Sequence, residues 1–232
     1  MRLNLVFHNI VKNKKDVNND FCVTKDYYFE LTQKIKNLIR ENKTNFKQIC
    51  FYFDDGYLSF KDLIFLSIKD NWLSYYLAIV TDWINKDNFL SEKDLIFLRD
   101  SGVNICSHGI SHSSLAIYAD DKLQATPRGG EYINIFKGKK KVLTQNEVVY
   151  QLKESKRILE RILGQPVNEF VLPYGLYNNQ TLQINGNNGL YKTISTCEEF
   201  LDNGKNLKPR FLVMNTRAVD ETLKLILKLK LK

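Results

Sequence analysis

Two acidic residues and a pair of histidines are the groups in this chain best suited to chemistry. Asp54 and Asp55 follow an apolar run at residues 51–53, and His108 and His112 lie about fifty positions later. Histidines four residues apart share one face of a helical turn, so both could reach one ion. One carboxylate with two imidazoles leaves a divalent metal open positions for water and substrate. A second carboxylate could take a proton from that water, so these residues predict a metal-dependent hydrolase.

The apolar pattern predicts short strands that alternate with helices. The seven predicted strands are 3–7, 48–53, 75–80, 103–107, 170–172, 192–195 and 211–214. The predicted helices are 26–42, 59–70, 91–100 and 144–163, one after each of the strands 170–172 and 192–195, and one at the C-terminus. This alternation favours a parallel sheet with crossover helices, and strands without a polar face favour a closed or nearly closed barrel.

In a parallel barrel the chemistry gathers where the strands end. The polar or special residues at predicted strand ends are His8, Asp54, Asp55, Ser107, His108 and Pro173. We expect one domain over residues 1–232, because this length suits a single α/β barrel. An irregular segment at about 116–142 interrupts the alternation, and it is interpreted either as a lid or binding loop or as a solvated surface loop.

The bulk properties restrict the partners and the compartment. The net charge of +8 favours anionic partners, but the charge is dispersed and no aromatic-basic pattern indicates nucleic acid. The N-terminal residues lack the apolar run of a secretory signal, which predicts a cytoplasmic protein. The four cysteines are scattered, and we expect them to be free and buried. The basic and apolar residues 223–232 predict either a final packed helix or a contact with an anionic membrane surface.

Four ordered motifs resemble those of the polysaccharide deacetylase family, which is carbohydrate esterase family 4. They are Phe53-Asp54-Asp55-Gly56-Tyr57, the segment from Ser107 to Leu115, the helix with Glu154 to Glu160, and the segment from Phe170 to Asn178. Phe7-His8-Asn9-Ile10 and Pro209-Arg210-Phe211 also resemble bacterial members. The resemblance implies a distorted (β/α)7 TIM-like barrel that removes N-acetyl groups from amino sugars, or less often O-acetyl groups.

The resemblance also implies a role for each site residue. A divalent metal, with Zn²⁺ as the expected ion, would be held by Asp55, His108 and His112. Asp54 would act as the general base. The backbone N–H of Tyr174 would stabilise the oxyanion, and Pro173 and Gly175 would contact the substrate, with Gly175 allowing a close approach to the backbone.

Two departures from the family pattern concern the catalytic groups. The arginine that often holds the catalytic aspartate is replaced by Val171, and no histidine follows His112 to serve as general acid. His8 is the remaining histidine, and it is interpreted either as that acid or a substrate ligand, or as a structural hydrogen-bonding group.

The leading hypothesis is a metal-dependent carbohydrate deacetylase of bacterial surface-glycan synthesis. It would act on an N-acetylated sugar or glycan, which could be lipid-linked. The alternatives are a catalytically impaired barrel that binds metal or glycan, an O-acetyl esterase, and a non-haem iron oxygenase, since two histidines and a carboxylate also suit iron(II).

Overall fold

The computed structural model describes residues 1–64, 73–115, 118–119, 122–123 and 143–230. The strands are β1 (Arg2–Phe7), β2 (Ile10–Val11), β3 (Val23–Thr24), β4 (Gln48–Phe53), β5 (Leu73–Ile79), β6 (Asn104–Ser107), β7 (Tyr118–Ala119), β8 (Lys122–Leu123), β9 (Glu169–Val171), β10 (Thr193–Ser195), β11 (Leu207–Lys208) and β12 (Phe211–Leu212). The helices are α1 (Lys25–Arg40), α2 (Ser59–Ile64), α3 (Glu92–Asp100), α4 (Gln145–Leu163), α5 (Asn179–Asn187) and α6 (Val219–Leu227).

Eight strands form one curled parallel sheet in the order β11-β10-β9-β6-β5-β4-β1-β12. Its two outermost strands, β11 and β12, are pieces of one segment that is interrupted only by Pro209 and Arg210. β11 pairs with β10 and β12 pairs with β1, so this segment joins the two ends of the sheet. Proline has no N–H for a strand ladder, which is consistent with the break. The architecture is therefore the expected α/β fold, a distorted TIM-like barrel in a single domain.

Alternation along the strands divides the core into two layers. In β1, Leu3, Leu5 and Phe7 join the large cluster between sheet and helices, whereas Val6 belongs to a smaller cluster with residues of other strands. That smaller cluster contains Val6, Cys50, Tyr52, Ala78, Cys106, Val171 and Leu212, and it fills the barrel interior. Since side chains alternate with a period of two, the next inward positions after Val6, Tyr52 and Cys106 are His8, Asp54 and His108.

Helix boundaries follow local capping signals. Ser91 and Asp94 form a capping box at the start of α3, and Thr144 and Glu147 form another at the start of α4. α4 ends at Gly164, whose φ of 64° is the left-handed conformation that glycine adopts without steric cost. Each N-cap contributes about 1 kcal/mol of stability, so the long helix beside the site has a defined start.

The structure corrects two parts of the predicted element pattern. No helix follows β10: residues 196–206 cross to β11 without one, and Asp202 pairs with Arg2 in an antiparallel bridge. That bridge fixes the backbone in an extended conformation where a crossover helix was expected. The pairs β2–β3 and β7–β8, and strand β11, were not predicted because two-residue strands carry too little pattern.

Some predictions fall on residues outside the described ranges. The predicted helix 59–70 is described only to Ile64, as α2. Of the segment 116–142, the structure describes the short antiparallel pair of β7 and β8, and its proposed role as a lid or binding loop lies outside the described residues. Among the described helices, none is both long and apolar enough to cross a membrane. All four cysteines are free and buried, as expected.

Candidate active site

Three side chains reach the barrel mouth because each occupies the next inward-facing position just beyond the end of a strand. His8 follows β1, Asp54 follows β4, and His108 follows β6, and all three line one cavity of about 150 Å³. Asp55, His112 and Tyr174 line the same cavity, together with the less polar Phe21, Leu172, Cys197 and Leu212. The structure therefore brings together the acidic pair and all three histidines that the sequence singled out.

Asp55, His108 and His112 converge on a common point. Asp55 Oδ1 lies 3.6 Å from His108 Nε2 and 3.3 Å from His112 Nε2, and one ligand atom from each residue lies within 4.8 Å of the other two. Asp55 Oδ1 is buried and accepts no hydrogen bond from any residue that the structure describes. A buried carboxylate oxygen facing two imidazole nitrogens fits a divalent cation, which would supply the missing partner.

The protonation states also fit a cation site. Burial and, to a smaller extent, the neighbouring charge of Asp54 outweigh the effect of Arg210 and raise the pKa of Asp55 to about 8. Burial lowers the pKa of His108, and burial together with the other histidines holds the pKa of His112 well below its usual value. Neutral imidazoles are the ligand form, and a positive ion would relieve the repulsion between the two carboxylates.

His108 is oriented by a backbone carbonyl. Its Nδ1 lies 2.7 Å from the carbonyl oxygen of Val171 at the end of β9, which accepts a hydrogen bond from the Nδ1–H tautomer. In that tautomer Nε2 carries no proton, and its lone pair is available to a metal on the side of Asp55. This is the arrangement commonly found for histidine ligands. Val171 thus contributes to the site through its main chain.

The two histidines do not lie on a helical turn, which corrects the sequence-based expectation. Residues 108–112 form a loop after β6, with φ of 80° at Gly109 and 55° at His112. Buried Gln151 of α4 holds this loop: its Oε1 accepts hydrogen bonds from the N–H groups of Ile110 (2.9 Å) and Ser111 (3.3 Å). The histidine rings still come within 4.8 Å of each other, because the loop reverses direction between them.

Asp54 is held by an arginine from the last strand segment. Nη1 of Arg210 donates to Asp54 Oδ1 at 2.8 Å, and both side chains are buried. Burial alone would raise the pKa of Asp54, but the charge of Arg210, with smaller effects from the histidines, outweighs it and lowers that pKa. Asp54 is therefore ionised at neutral pH and able to accept a proton.

His8 lies in the cavity without a structural hydrogen bond at one nitrogen. Its Nδ1 is buried and has no hydrogen-bond partner among the described residues, and its ring packs 5.2 Å from that of Phe21. Burial, assisted by His108 and opposed by Asp54, lowers the pKa of His8 to about 4. The structure thus places His8 next to the acidic pair as a neutral imidazole.

The segment at Tyr174 has an unusual backbone. Pro173–Gly175 forms a single 3-10 turn after β9, in which Tyr174 has a φ of 59°. Its ring packs at 4.5 Å from His112. A Cβ at Gly175 would stand 2.7 Å from the Cβ of Cys197, so the missing side chain accommodates Cys197. Backbone strain at functional sites is common, and Asp55, His112 and Tyr174 all have positive φ here.

Sequence reasoning overlooked several residues that build the site. Arg210 was noted within a motif but given no role, and Gln151 and Cys197 were not considered as site residues. Arg210 could have been found from its own burial cost, because an arginine between apolar residues near a strand needs an acidic partner. A glutamine on the mostly apolar face of a predicted helix is a similar signal.

Comparisons with known proteins agree with this geometry. Residues 41–193 match the family model described as polysaccharide deacetylase. The fold is similar to a polysaccharide deacetylase from Bacillus cereus, at 19% identity and a TM-score of 0.69, covering 97% of this chain and 68% of that one. A Streptococcus pyogenes deacetylase in complex with acetate gives 20% identity and a TM-score of 0.70, with 97% of both chains covered. A de-N-acetylase from Aggregatibacter actinomycetemcomitans gives 16% identity and a TM-score of 0.69, with 97% of this chain and 99% of that one covered.

The chain has no match among the curated proteins. The family model nevertheless spans more than half of the chain, and it includes the acidic pair and both histidines of the metal-ligand cluster. The chain belongs to the polysaccharide deacetylase family.

Proposed function

We propose that this protein is a metal-dependent deacetylase that hydrolyses N-acetyl groups of an amino sugar or glycan in bacterial surface-polysaccharide biosynthesis. One observation carries the proposal: a buried oxygen of Asp55, which accepts no hydrogen bond within the described part of the chain, faces the imidazoles of His108 and His112, and Asp54 stands beside it. A metal-ligand cluster with a separate base is well suited to the hydrolysis of an amide by water.

Asp55, His108 and His112 would hold the metal, and Zn²⁺ suits one carboxylate with two imidazoles. When bound, the ion would supply Lewis acidity that polarises a carbonyl and makes water more acidic. Asp54 accepts the proton of the attacking water, while Arg210 keeps the carboxylate ionised and fixed in direction. The lowered pKa of Asp54 means that the base is in its active form at neutral pH.

Four further residues complete the proposed mechanism. The backbone N–H of Tyr174 is proposed to donate to the developing oxyanion, and Pro173 and Gly175 to shape the substrate contact beside it. His8 is proposed to deliver a proton to the leaving amine. Its pKa of about 4 without a bound cation makes it neutral, so it would first receive the proton taken by a neighbouring group such as Asp54.

The proposal is tested by acetate release from N-acetylglucosamine oligomers. Release should stop after chelation, return with Zn²⁺, and be absent in Asp54→Asn, while Asp54→Asn still contains stoichiometric metal by elemental analysis. His112→Ala should lose the metal. Acetate release that survives both chelation and Asp54→Asn would overturn the mechanism.

The catalytically impaired alternative depended on the missing arginine and the missing late histidine. Arg210 contacts Asp54, so an arginine does support the proposed base although Val171 stands at the family's arginine position. His8 lies in the cavity and is a candidate for the general acid in place of the missing late histidine. An O-acetyl esterase would use the same groups, so activity on matched N-acetyl and O-acetyl oligosaccharides would distinguish the two reactions.

The proposed compartment is the cytoplasm, which the four free cysteines support because a reducing environment keeps thiols unpaired. Contact of the C-terminus with an anionic membrane is also part of the proposal. In α6 the exposed Leu225 and Leu227 neighbour exposed lysines. This end lies near Phe46 and Leu201, so a membrane there would leave the active site facing away from the lipid. Fractionation of cells and sedimentation with anionic vesicles would test both points.

A further inference from the structure

The aromatic ring of Tyr52 lies against the arginine that holds Asp54. Tyr52 is a buried residue of β4 two positions before Asp54, so both side chains point into the barrel. The guanidinium of Arg210 lies over the Tyr52 ring, with its central carbon 4.9 Å from the ring centre. A cation over an aromatic face is attracted more strongly when water is excluded, and both of these side chains are fully buried. The barrel interior therefore contains a strong contact between Tyr52 and Arg210.

The Tyr52 ring is itself fixed by its neighbours. Tyr76 of β5 stacks on it, with ring centres 4.5 Å apart and planes 16° apart. The Tyr52 hydroxyl donates to Oε1 of buried Glu169 at 2.8 Å. That carboxylate also accepts a hydrogen bond from Ser195 Oγ at 2.6 Å and forms an ion pair with Lys208. Buried polar networks whose members are satisfied become rigid, so the ring offers Arg210 a surface in a defined position.

The hydrogen bonds of Arg210 leave a role for this surface. Its Nη1 donates to Asp54, its Nε donates to the carbonyl oxygen of Thr196, and its Nη2 faces Sγ of Cys197 at 3.7 Å. The N–H groups of a planar guanidinium all lie in its plane, so these bonds restrain it mainly within that plane. Contact with an aromatic ring is a different kind of restraint, because it does not use the N–H groups. Two independent kinds of contact therefore fix the guanidinium beside Asp54.

We propose that Tyr52 is a positioning residue, whose ring holds Arg210 in the place where it orients Asp54. This inference rests on the proposed function, in which Asp54 is the base, and adds a residue to it. Tyr52 is not one of the described residues that line the cavity of the acidic pair and the histidines, so it would act only through Arg210. A misplacement of about 1 Å in a catalytic group can cost about 100-fold in rate, so a support of this kind affects turnover.

The kinetic test compares wild type with Tyr52→Leu, Tyr52→Phe and Phe51→Leu. Phe51 precedes Tyr52 in β4, is equally buried and faces the helices, so Phe51→Leu is the matched control for lost aromatic volume. In acetate release from N-acetylglucosamine oligomers, Tyr52→Leu should lower kcat about tenfold, while KM and metal content stay at their wild-type values. Tyr52→Phe keeps the ring, and both it and the control should keep the wild-type kcat. An unchanged kcat in Tyr52→Leu, or an equal loss in the control, overturns the proposal.

A milder variant guards against misfolding of Tyr52→Leu. Tyr52→Met fills more of the space with a flexible apolar chain but has no ring, so it should lose as much kcat as Tyr52→Leu. Tyr52→Phe lacks the hydroxyl that donates to Glu169, yet its kcat should stay close to that of wild type. Equal kcat in Tyr52→Met and Tyr52→Phe overturns a role of the ring.

Hydrogen exchange separates this proposal from the deacetylase proposal, because it needs no turnover. In protein with isotope-labelled arginine, the NMR signal of the Nε–H group of Arg210 is assigned by its absence in Arg210→Lys. This group donates to the carbonyl oxygen of Thr196 at 3.0 Å in the barrel interior, so it should exchange slowly with water.

The exchange of this group should be about tenfold faster in Tyr52→Leu and unchanged in Tyr52→Phe and Phe51→Leu. Faster exchange in Tyr52→Leu supports the positioning contact even if wild type releases no acetate, in which case only the proposed reaction fails. Equal exchange in wild type and Tyr52→Leu overturns the positioning role whatever the activity.

Discussion

Arg210 and Asp54 form a buried ion pair at 2.8 Å although 156 positions separate them in the chain. Arg210 also donates through Nε to the carbonyl oxygen of Thr196 at 3.0 Å, and its guanidinium lies 4.9 Å from the centre of the Tyr52 ring. The arginine is thereby fixed on several sides. It gives Asp54 the support that the family pattern led us to seek at the position of Val171.

Replacing Arg210 by methionine should impair both stability and catalysis. Breaking a buried ion pair leaves an uncompensated charge, so we expect a loss of about 3–5 kcal/mol in the free energy of unfolding. The burial that raises the pKa of Asp54 would no longer be opposed by Arg210, and the acid limb of the kcat/KM profile should move to higher pH. Chemical denaturation and a pH–rate profile measure the two effects.

Arg157→Met provides the control, because Arg157 is an exposed arginine that pairs with Glu154 on α4. Its pH–rate profile should match that of wild type. An unshifted acid limb in Arg210→Met would show that Arg210 does not set the charge of Asp54.

Metal binding at pH 7 should release about one proton per ion. The pKa of Asp55 is about 8 without a cation, so this carboxyl is mostly protonated at pH 7 and must ionise to become a ligand. The imidazoles of His108 and His112 have lowered pKa values and contribute no proton. Calorimetry in buffers of different ionisation enthalpy gives the number of protons released.

Asp54→Asn should reduce that proton release, because the charge of Asp54 is one cause of the raised pKa of Asp55.

The raised pKa of Asp55 should also make the stability of the metal-free protein depend on pH. A folded-state pKa above the unfolded value stabilises the metal-free protein at low pH, and this contribution is lost as pH rises from about 4 to about 8. Because the lowered pKa values of the buried histidines act in the opposite direction, the test compares metal-free wild type with metal-free Asp55→Asn. The free energy of unfolding of wild type relative to the variant should fall over that interval, and a difference that does not change with pH would contradict the assignment for Asp55.

Gln151→Ala should weaken metal binding without removing any ligand. The variant loses the acceptor for the N–H groups of Ile110 and Ser111, so the loop that carries both histidines is no longer fixed. Loss of such outer contacts typically reduces metal affinity about 10- to 100-fold. Competition with a metal chelator measures this change, and Tyr150→Ala, an exposed neighbour on the same helix, should retain wild-type affinity.

Gly175→Ala should be more destabilising than Gly189→Ala. Both glycines have positive φ, 67° and 57°, but a Cβ at Gly189 meets nothing within 4 Å, whereas at Gly175 it would meet Cys197 at 2.7 Å. The control therefore isolates the backbone cost of about 1–2 kcal/mol for an alanine at positive φ, and Gly175→Ala adds overpacking of about 1–3 kcal/mol. Similar thermal stability of the two variants would show that the turn moves freely away from Cys197.

Cys197→Gly should partly rescue Gly175→Ala, since it removes the side chain that the new methyl group meets. No rescue would indicate that the damage arises from the backbone of the Tyr174 turn alone.

The sequence by itself determined the parts of this protein that depend on local pattern. A continuous apolar run located strand β4 at its observed limits, and serine and threonine caps located the starts of α3 and α4. The ends of the strands identified His8, Asp54 and His108 as neighbours, because all parallel strands of one barrel point the same way. Side-chain alternation and helix capping involve residues that are close in sequence, so the sequence alone predicts them.

Only the tertiary structure decided how the distant parts of the site meet. Arg210 reaches Asp54 because residues 207–212 close the ring between β10 and β1, a pairing that no local pattern encodes. The loop between His108 and His112 depends on Gln151 from a helix forty residues later, and it turned out not to be helical. Burial of a charge or an amide is favourable only when a remote partner is present, so these contacts exist only after the barrel has formed.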